Sequence, residues 1–252
     1  MKASGESLGI FDPNHALTDD LLASIKNNKS ELLILLNDVS EHSQYFTIPS
    51  VQIKSHYKLS SAQKRLLFLH ELDKTSIAYN MPQVAKLEGN VDKGKLNNAF
   101  NKLIARHEGL RTSFEVVNDE AVQKISDHVA FEIEYFQSSE DAVQQIVKNF
   151  IRPFDLSKAP LVKAGLIEIS PLVHILMVDV HHIITDGVSQ GVLIKDFMAL
   201  YNEEELPELK LQYKDYAEWQ QSDGQQQKIS KQKKFWLSEF AEELTTLDLP
   251  SD

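Results

Sequence analysis

The sequence predicts an α/β (α+β) domain with a central sheet and flanking helices, preceded by a small helical segment. Three observations carry that expectation. Two apolar, β-rich runs, LVKAGLIEI from Leu161 and LVHILMVDV from Leu172, are joined by Ser170-Pro171 and read as paired strands of one sheet. The stretch from Asp92 to His107 puts Leu96, Phe100, Leu103 and Ile104 on one stripe, as a helix packed on such a sheet would. Finally, VDVHHIITDGVS, from Val178 to Ser189, passes from a strand through a turn into a helix that runs on to about Tyr201.

The remaining elements follow in chain order. Thr18 is placed to cap a first helix carrying Leu21, Leu22 and Ile25, and Ser30 a second carrying Leu32, Leu33, Leu35 and Leu36. A unit that short needs a partner to bury its leucines. Glu41 to Tyr57 has no helical period and contains Pro49, so it reads as an extended linker; the expected division is a helical segment, 1–45, and a larger unit, 46–252. Ser60 and Gln63 have the spacing of a capping box at the start of SAQKRLLFLHEL. LRTSFEVV from Leu110 and AFEIEYF from Ala130 are strand-like, and Asp141 to Phe150 returns to helical spacing until Pro153 ends it. YKDYAEWQQ from Tyr213 and KQKKFWLSEFAEEL from Lys231 are helical.

Composition narrows the partners. With 26 Lys and Arg against 37 Asp and Glu, the formal charge of -11 opposes nonspecific attraction to nucleic acid or anionic lipid, so neither is an expected partner. Zero Cys removes disulfides, thiolate metal sites and cysteine nucleophiles, and suits a reducing, cytoplasmic setting. Apolar stretches such as LLILL, Leu32 to Leu36, are far short of a membrane span.

The chemistry-bearing segment is the one with two histidines. Successive side chains on a strand point to opposite faces, so only one of His181 and His182 faces a given cavity, and the two have different jobs. Asp186 is close enough to return and fix the loop or an imidazole, and Gly187 permits a positive φ or close approach of a ligand. A histidine titrating near neutrality can accept a proton from an attacking amine or alcohol. Spacing alone favours a structural role for the pair over a catalytic one. It argues against a metal: adjacent strand histidines diverge, and His107-Glu108 has Arg111, not a second histidine, four positions after the first.

HHIITDG, His181 to Gly187, resembles the HHxxxDG signature of condensation domains of nonribosomal peptide synthetases. LSSAQKRLLFL from Leu59, RHEGLRTSF from Arg106 and YKDYAEW from Tyr213 match further motifs of that family in the same order, and AYNMP from Ala78 and RPFDLSKAPLVKAGL from Arg152 look familiar as well. The resemblance runs from about Tyr57 to Asp252. It implies a chloramphenicol acetyltransferase-like subdomain, one of two that meet at a tunnel reached by phosphopantetheine arms of carrier proteins. His182 would face the tunnel as base or as the group orienting the amine, with His181 and Asp186 as supports, Asp186 often pairing with an arginine, and Gly187 where the arms approach. Arg106 and Arg111 match arginines of the second motif, as substrate supports or as fold-holding ion pairs. Val188 stands where the family usually has an aromatic residue.

The implied reaction is amide formation between a carrier-bound acyl or peptidyl thioester and a carrier-bound aminoacyl group, with no cofactor bound directly. Partners would be donor and acceptor carriers and a C-terminal condensation subdomain, whose motifs lie beyond this sequence, so the isolated chain is expected to be inactive. Related domains with the same signature epimerise or form esters, and a noncatalytic docking module is the alternative from another class. ALTDDLLASIKNNKSELLILL from Ala16 resembles the helical end of docking domains, in which a β-hairpin accompanies the helices and captures an upstream subunit's tail; an interdomain linker is the other reading of 1–45.

Overall fold

A computed structural model describes residues 2–4, 7–9, 17–34 and 48–241. The chain divides into two compact units, Met1–Pro49 and Ser50–Asp252.

In the first unit, β1 (Lys2–Ser4) and β2 (Ser7–Gly9) pair antiparallel, with Lys2 opposite Gly9. Helix α1 (Asp19–Asn27) starts where expected: Thr18 Oγ1 accepts from the Leu21 N–H at 3.3 Å, and Asp19 and Asp20 lie at the positive end of the helix dipole. Ile25 is buried and Leu21 half exposed. Helical residues 29–34 (α2) begin on Asn28, whose carbonyl accepts from the Leu32 N–H at 2.9 Å. Ser30 therefore lies inside this helix and not at its cap. Asn28 takes that place because it closes α1 and opens α2 in a single turn. Leu35 and Leu36 of the expected stripe, and most of the expected linker, lie outside the described residues.

The second unit is built on two sheets. The smaller has the order β3-β6-β5, from β3 (Tyr57–Lys58), β5 (Thr112–Val117) and β6 (Glu120–Ile125), all antiparallel. The larger has the order β4-β9-β8-β7, from β4 (Gln83–Glu88), β7 (Glu134–Gln137), β8 (Val162–Ser170) and β9 (Val173–Val180); only β7 and β8 run parallel. The expected pairing of β8 with β9 is present, Leu166 opposite Leu176. The helices are α3 (Ser61–Leu72), α4 (Lys93–Arg106), α5 (Val143–Phe150), α6 (Gly187–Tyr201), α7 (Tyr213–Gln220) and α8 (Asp223–Glu239).

Both faces of the middle of β8 are covered, which is why Ala164 to Ile167 is apolar without alternation. On one face Val162, Ala164, Leu166 and Val180 meet Leu96, Phe100, Leu103 and Ile104, the stripe of α4. On the other Ile167 and Met177 meet Phe150 of α5. Gly165 serves that second face, where an added Cβ would stand 2.7 Å from Met177 Cε and 3.0 Å from the Phe150 ring. A third cluster, including Leu59, Phe154, Leu156, Leu161 and Ile183, fills the space beside the strand ends.

Two local expectations are corrected, and two further strands are added. The run from Ala130 is strand only from Glu134; before it, side chains of α4 replace the ladder, with Asn97 Oδ1 accepting from the Ile133 N–H and Asn101 Nδ2 donating to the Phe131 carbonyl, each at 3.3 Å. Leu110 and Arg111 belong to a 3-10 turn, Glu108–Arg111, so β5 starts at Thr112. Strands β4 and β6 have no clear apolar period because much of each faces solvent. The β5–β6 hairpin closes through Asn118 and Asp119, at φ 51 and 64, the left-handed pair that a two-residue turn requires.

Candidate active site

β9 ends at Val180, and the next seven residues, His181 to Gly187, carry the candidate site. The His181 N–H donates to the Leu161 carbonyl at 3.1 Å and the His182 N–H to the Tyr79 carbonyl at 2.8 Å, so both histidines are tied to neighbouring chain before the turn begins. Their side chains then part, as strand geometry requires. His181 is 3% exposed, its ring edge-on to His70 and Phe154 at centroid distances of 6.1 and 5.9 Å. Its Nδ1 accepts from the Ile183 N–H at 3.1 Å, which requires the unprotonated nitrogen there. Burial lowers its pKa to about 4, with smaller contributions from His70 and His182. At neutral pH it is a neutral, structural imidazole.

His182 is exposed. Its Nδ1 lies 2.8 Å from the Thr185 carbonyl oxygen. A carbonyl only accepts, so Nδ1 carries the proton and, in the neutral ring, Nε2 keeps its lone pair. That is the tautomer a base needs. It is set by a backbone group three residues along the chain, which no side-chain pattern reveals.

Asp186 caps α6: its Oδ1 accepts from the Ser189 N–H at 2.7 Å, and its carbonyl from the Gln190 N–H at 2.9 Å. The hydrogen bond from the Ser189 backbone lowers its pKa, and the nearby His182 acts in the same direction. Neither Arg106 nor Arg111 bonds to it. Gly187 has no positive φ, and a Cβ there would meet nothing within 4 Å, so the space before the helix start is open.

Arg106 and Arg111 hold the fold. Arg106 Nε donates to Asp196 Oδ2 of α6 at 2.9 Å and its Nη1 to the Pro207 carbonyl at 2.7 Å; His107 Nε2 shares Asp196 Oδ2 at 2.8 Å. Arg111 reaches the Ser126 carbonyl and, at 3.7 Å, Glu108, which also pairs with Lys214 at 2.7 Å. Other motif residues brace the same region. Ser60 and Gln63 form the expected capping box, and Ser60 Oγ lies 2.8 Å from the Tyr213 hydroxyl. Gln212 Nε2 donates to the Arg106 carbonyl at 3.0 Å, and Asp215 accepts from the Val51 and Gln212 N–H groups at 2.8 and 2.7 Å. Residues of four sequence motifs thus brace one region, and the histidine turn presents an exposed imidazole there.

Beside α6 a cavity of about 740 Å³ opens between β4, β9 and α4, lined by Val84, Leu176, Val178, Leu193, Ile194 and Phe197 among others. Gln83 Nε2 donates to Gln190 Oε1 on its wall at 2.8 Å. Among the described residues no three His, Asp or Glu side chains gather as metal ligands, and no helix is long and apolar enough to cross a membrane.

A mixed sheet with flanking helices, and an exposed histidine where a central strand turns into a helix, define the class: an α+β domain with an imidazole at a strand end. The chain belongs to the Condensation domain family, which matches residues 53–252. It is 41% identical over 239 residues to bacitracin synthase 2 of Bacillus licheniformis, covering 95% of this chain and 9% of that protein. It is 46% identical over 196 residues to surfactin synthase subunit 2 of Bacillus subtilis (strain 168), covering 78% and 6%. Among solved structures it resembles the X-domain in complex with OxyB from teicoplanin biosynthesis, with a TM-score of 0.71, 27% identity, and 81% of this chain and 47% of that one covered. The EpoB cyclization-docking bidomain of Sorangium cellulosum shares the fold, with a TM-score of 0.64 at 23% identity, covering 94% and 49%. The fold is therefore that of condensation domains, as the motif resemblance implied. The chain spans under a tenth of these synthetases and about half of the solved chains.

Proposed function

We propose that this chain is the histidine-bearing half of a domain that forms an amide bond between a carrier-bound acyl or peptidyl thioester and a carrier-bound aminoacyl group. The observation that carries the reading is the hydrogen bond from His182 Nδ1 to the Thr185 carbonyl, which leaves Nε2 as the acceptor on an exposed ring. The amine nitrogen attacks the thioester carbonyl and forms the C–N bond; the C–S bond breaks, and the departing sulfur takes up a proton. Nε2 either accepts the amine proton or holds the amine in line. So sparse a site suits the reaction, because a thioester is already activated and holding two reactants together supplies much of the acceleration. His181, Asp186 and Gly187 support the site by filling the wall, capping α6 and leaving the approach open. The cleft beside α6 is suited to an apolar acyl or aminoacyl side chain.

The domain's other half, supplied by a second subdomain, closes the site in this reading. The chain alone is then slower than a complete domain by orders of magnitude, since positioning supplies several kcal/mol of the barrier, up to about 7–11. The test is to load donor and acceptor carriers, add this chain or a complete domain containing it, and follow the amide by mass spectrometry. Absence of amide from a folded complete domain would refute the reading; equal turnover by the chain alone would refute the need for a second half.

A second reading, a noncatalytic docking module, is favoured by the apolar side chains that α6 leaves outward, with Val188 at 82% and Val192 at 49% exposure. Carrier binding without product from the complete domain would support it. We assign the first unit the role of docking an upstream synthetase subunit; the presence in it of a β1–β2 pair as well as helical residues supports this over a simple linker.

A further inference from the structure

We propose that Asn80 is a positioning residue for His182, acting through a strap of three residues, Tyr79 to Met81, that grips the end of β9. The strap lies ahead of β4 and carries no regular ladder, yet each of its residues holds the strand end. The Tyr79 carbonyl accepts from the His182 N–H at 2.8 Å, Asn80 is bridged to His181, and the Met81 N–H donates to the Val180 carbonyl at 2.9 Å. The strap's own anchor is the Asn80 side chain. Its Nδ2 donates to Asp179 Oδ2 at 2.6 Å and to the Arg152 carbonyl at 2.9 Å, so both amide protons are used.

The group it grips is costly to leave alone. Asp179 is fully buried, two residues before His181, and burial raises its pKa while the Asn80 bond opposes that rise. Lys163, across from it on β8, also opposes that rise through its charge, while its Nζ donates to the Arg152 and Pro153 carbonyls, at 2.9 and 3.3 Å, and lies 3.9 Å from the Phe154 ring centre. Phe154 in turn sits edge-on to His181. A single amide thus ties together the strap, the 152–154 segment and the strand that delivers both histidines. His182 lies beyond the ladder, in a turn, so the direction of its ring depends on where its backbone is held; the Tyr79 carbonyl holds it on one side and the Thr185 carbonyl on the other. Asn80→Ala removes both amide bonds, frees the strap and lets that direction drift.

The inference rests on His182 being the reactive group, but its test is read without turnover. In this chain labelled with 15N-histidine, His182 signals are identified by their loss in His182→Ala. With the ring neutral, the wild type should show one tautomer, protonated at Nδ1; Asn80→Ala should show a mixture with a faster-exchanging N–H. Lys163→Met is the control for mere destabilisation, because it disturbs the same cluster while leaving the Asn80 and Tyr79 bonds in place. It should lower the melting temperature and keep the single tautomer. In a complete domain, Asn80→Ala should lower kcat about ten- to hundredfold with KM for the carriers unchanged, the pattern of lost alignment. Asn80→Ser retains one donor and should fall between, which keeps the test decisive if the alanine variant does not fold. An unaltered tautomer in the asparagine variants, or the same change in Lys163→Met, overturns the proposal. An inactive complete domain with the expected spectra would instead refute only the reaction.

Discussion

Replacing His182 and His181 one at a time separates chemistry from support, and the structure sets the size of each effect. In His182→Ala the side-chain hydrogen bond lost among the described residues is the part-buried one to the Thr185 carbonyl, so stability should change by about 1 kcal/mol. Amide formation should fall by at least about two orders of magnitude, about 2.7 kcal/mol in the barrier. His181→Ala acts the other way. The ring is 3% exposed and packed on His70 and Phe154, and its loss leaves the buried Ile183 N–H without an acceptor. The cavity and the orphaned donor together should cost about 3–5 kcal/mol, a large share of a domain's total stability. Denaturant unfolding of this chain gives the stabilities, and single-turnover amide formation by a complete domain with loaded carriers gives the rates. Near wild-type turnover in His182→Ala would refute its assignment. Equal rate losses in the two variants at unchanged stability would refute the division of labour.

Three further outcomes are expected. Because the pKa of His181 falls from 6.5 to about 4 on folding, the unfolded chain binds the extra proton between those values; stability is full above about pH 6.5 and declines as pH falls toward 4. The decline attributable to this residue is at most about 3 kcal/mol, and His181→Gln should remove it from a plot of unfolding free energy against pH; an unchanged slope would contradict the assignment. Gly165→Ala should destabilise by about 1–3 kcal/mol, since Met177 can swing its terminal methyl away but the buried Phe150 ring must move, and an unshifted denaturation midpoint would show that the sheet yields at no cost. Deleting residues 1–45 should weaken association with an upstream synthetase subunit while leaving condensation from a directly loaded donor intact; unchanged binding in a titration with that subunit's tail would leave a linker in place of a docking unit.

The sequence by itself determined the elements whose cause is local. Thr18 and Ser60 with Gln63 cap their helices through hydrogen bonds that span three residues, the α4 stripe shows its buried face through its period, and the β8–β9 run is marked by its apolar content. It also determined that His181 and His182 must diverge, because neighbouring strand residues point to opposite sides. Where the cause is distant, the pattern was silent. β4 and β6 face solvent over much of their length, so they lack the apolar alternation that marks a strand, and their places in the sheets come from pairing with β9 and β5. Arg106 is a charged group whose partner sequence distance does not reveal; folding brought it to Asp196, ninety positions away. The decisive details of the site are backbone carbonyls. Thr185 selects the His182 tautomer and Tyr79 holds its backbone, and since every residue carries the same carbonyl, only the path of the folded chain could decide which ones meet the histidine.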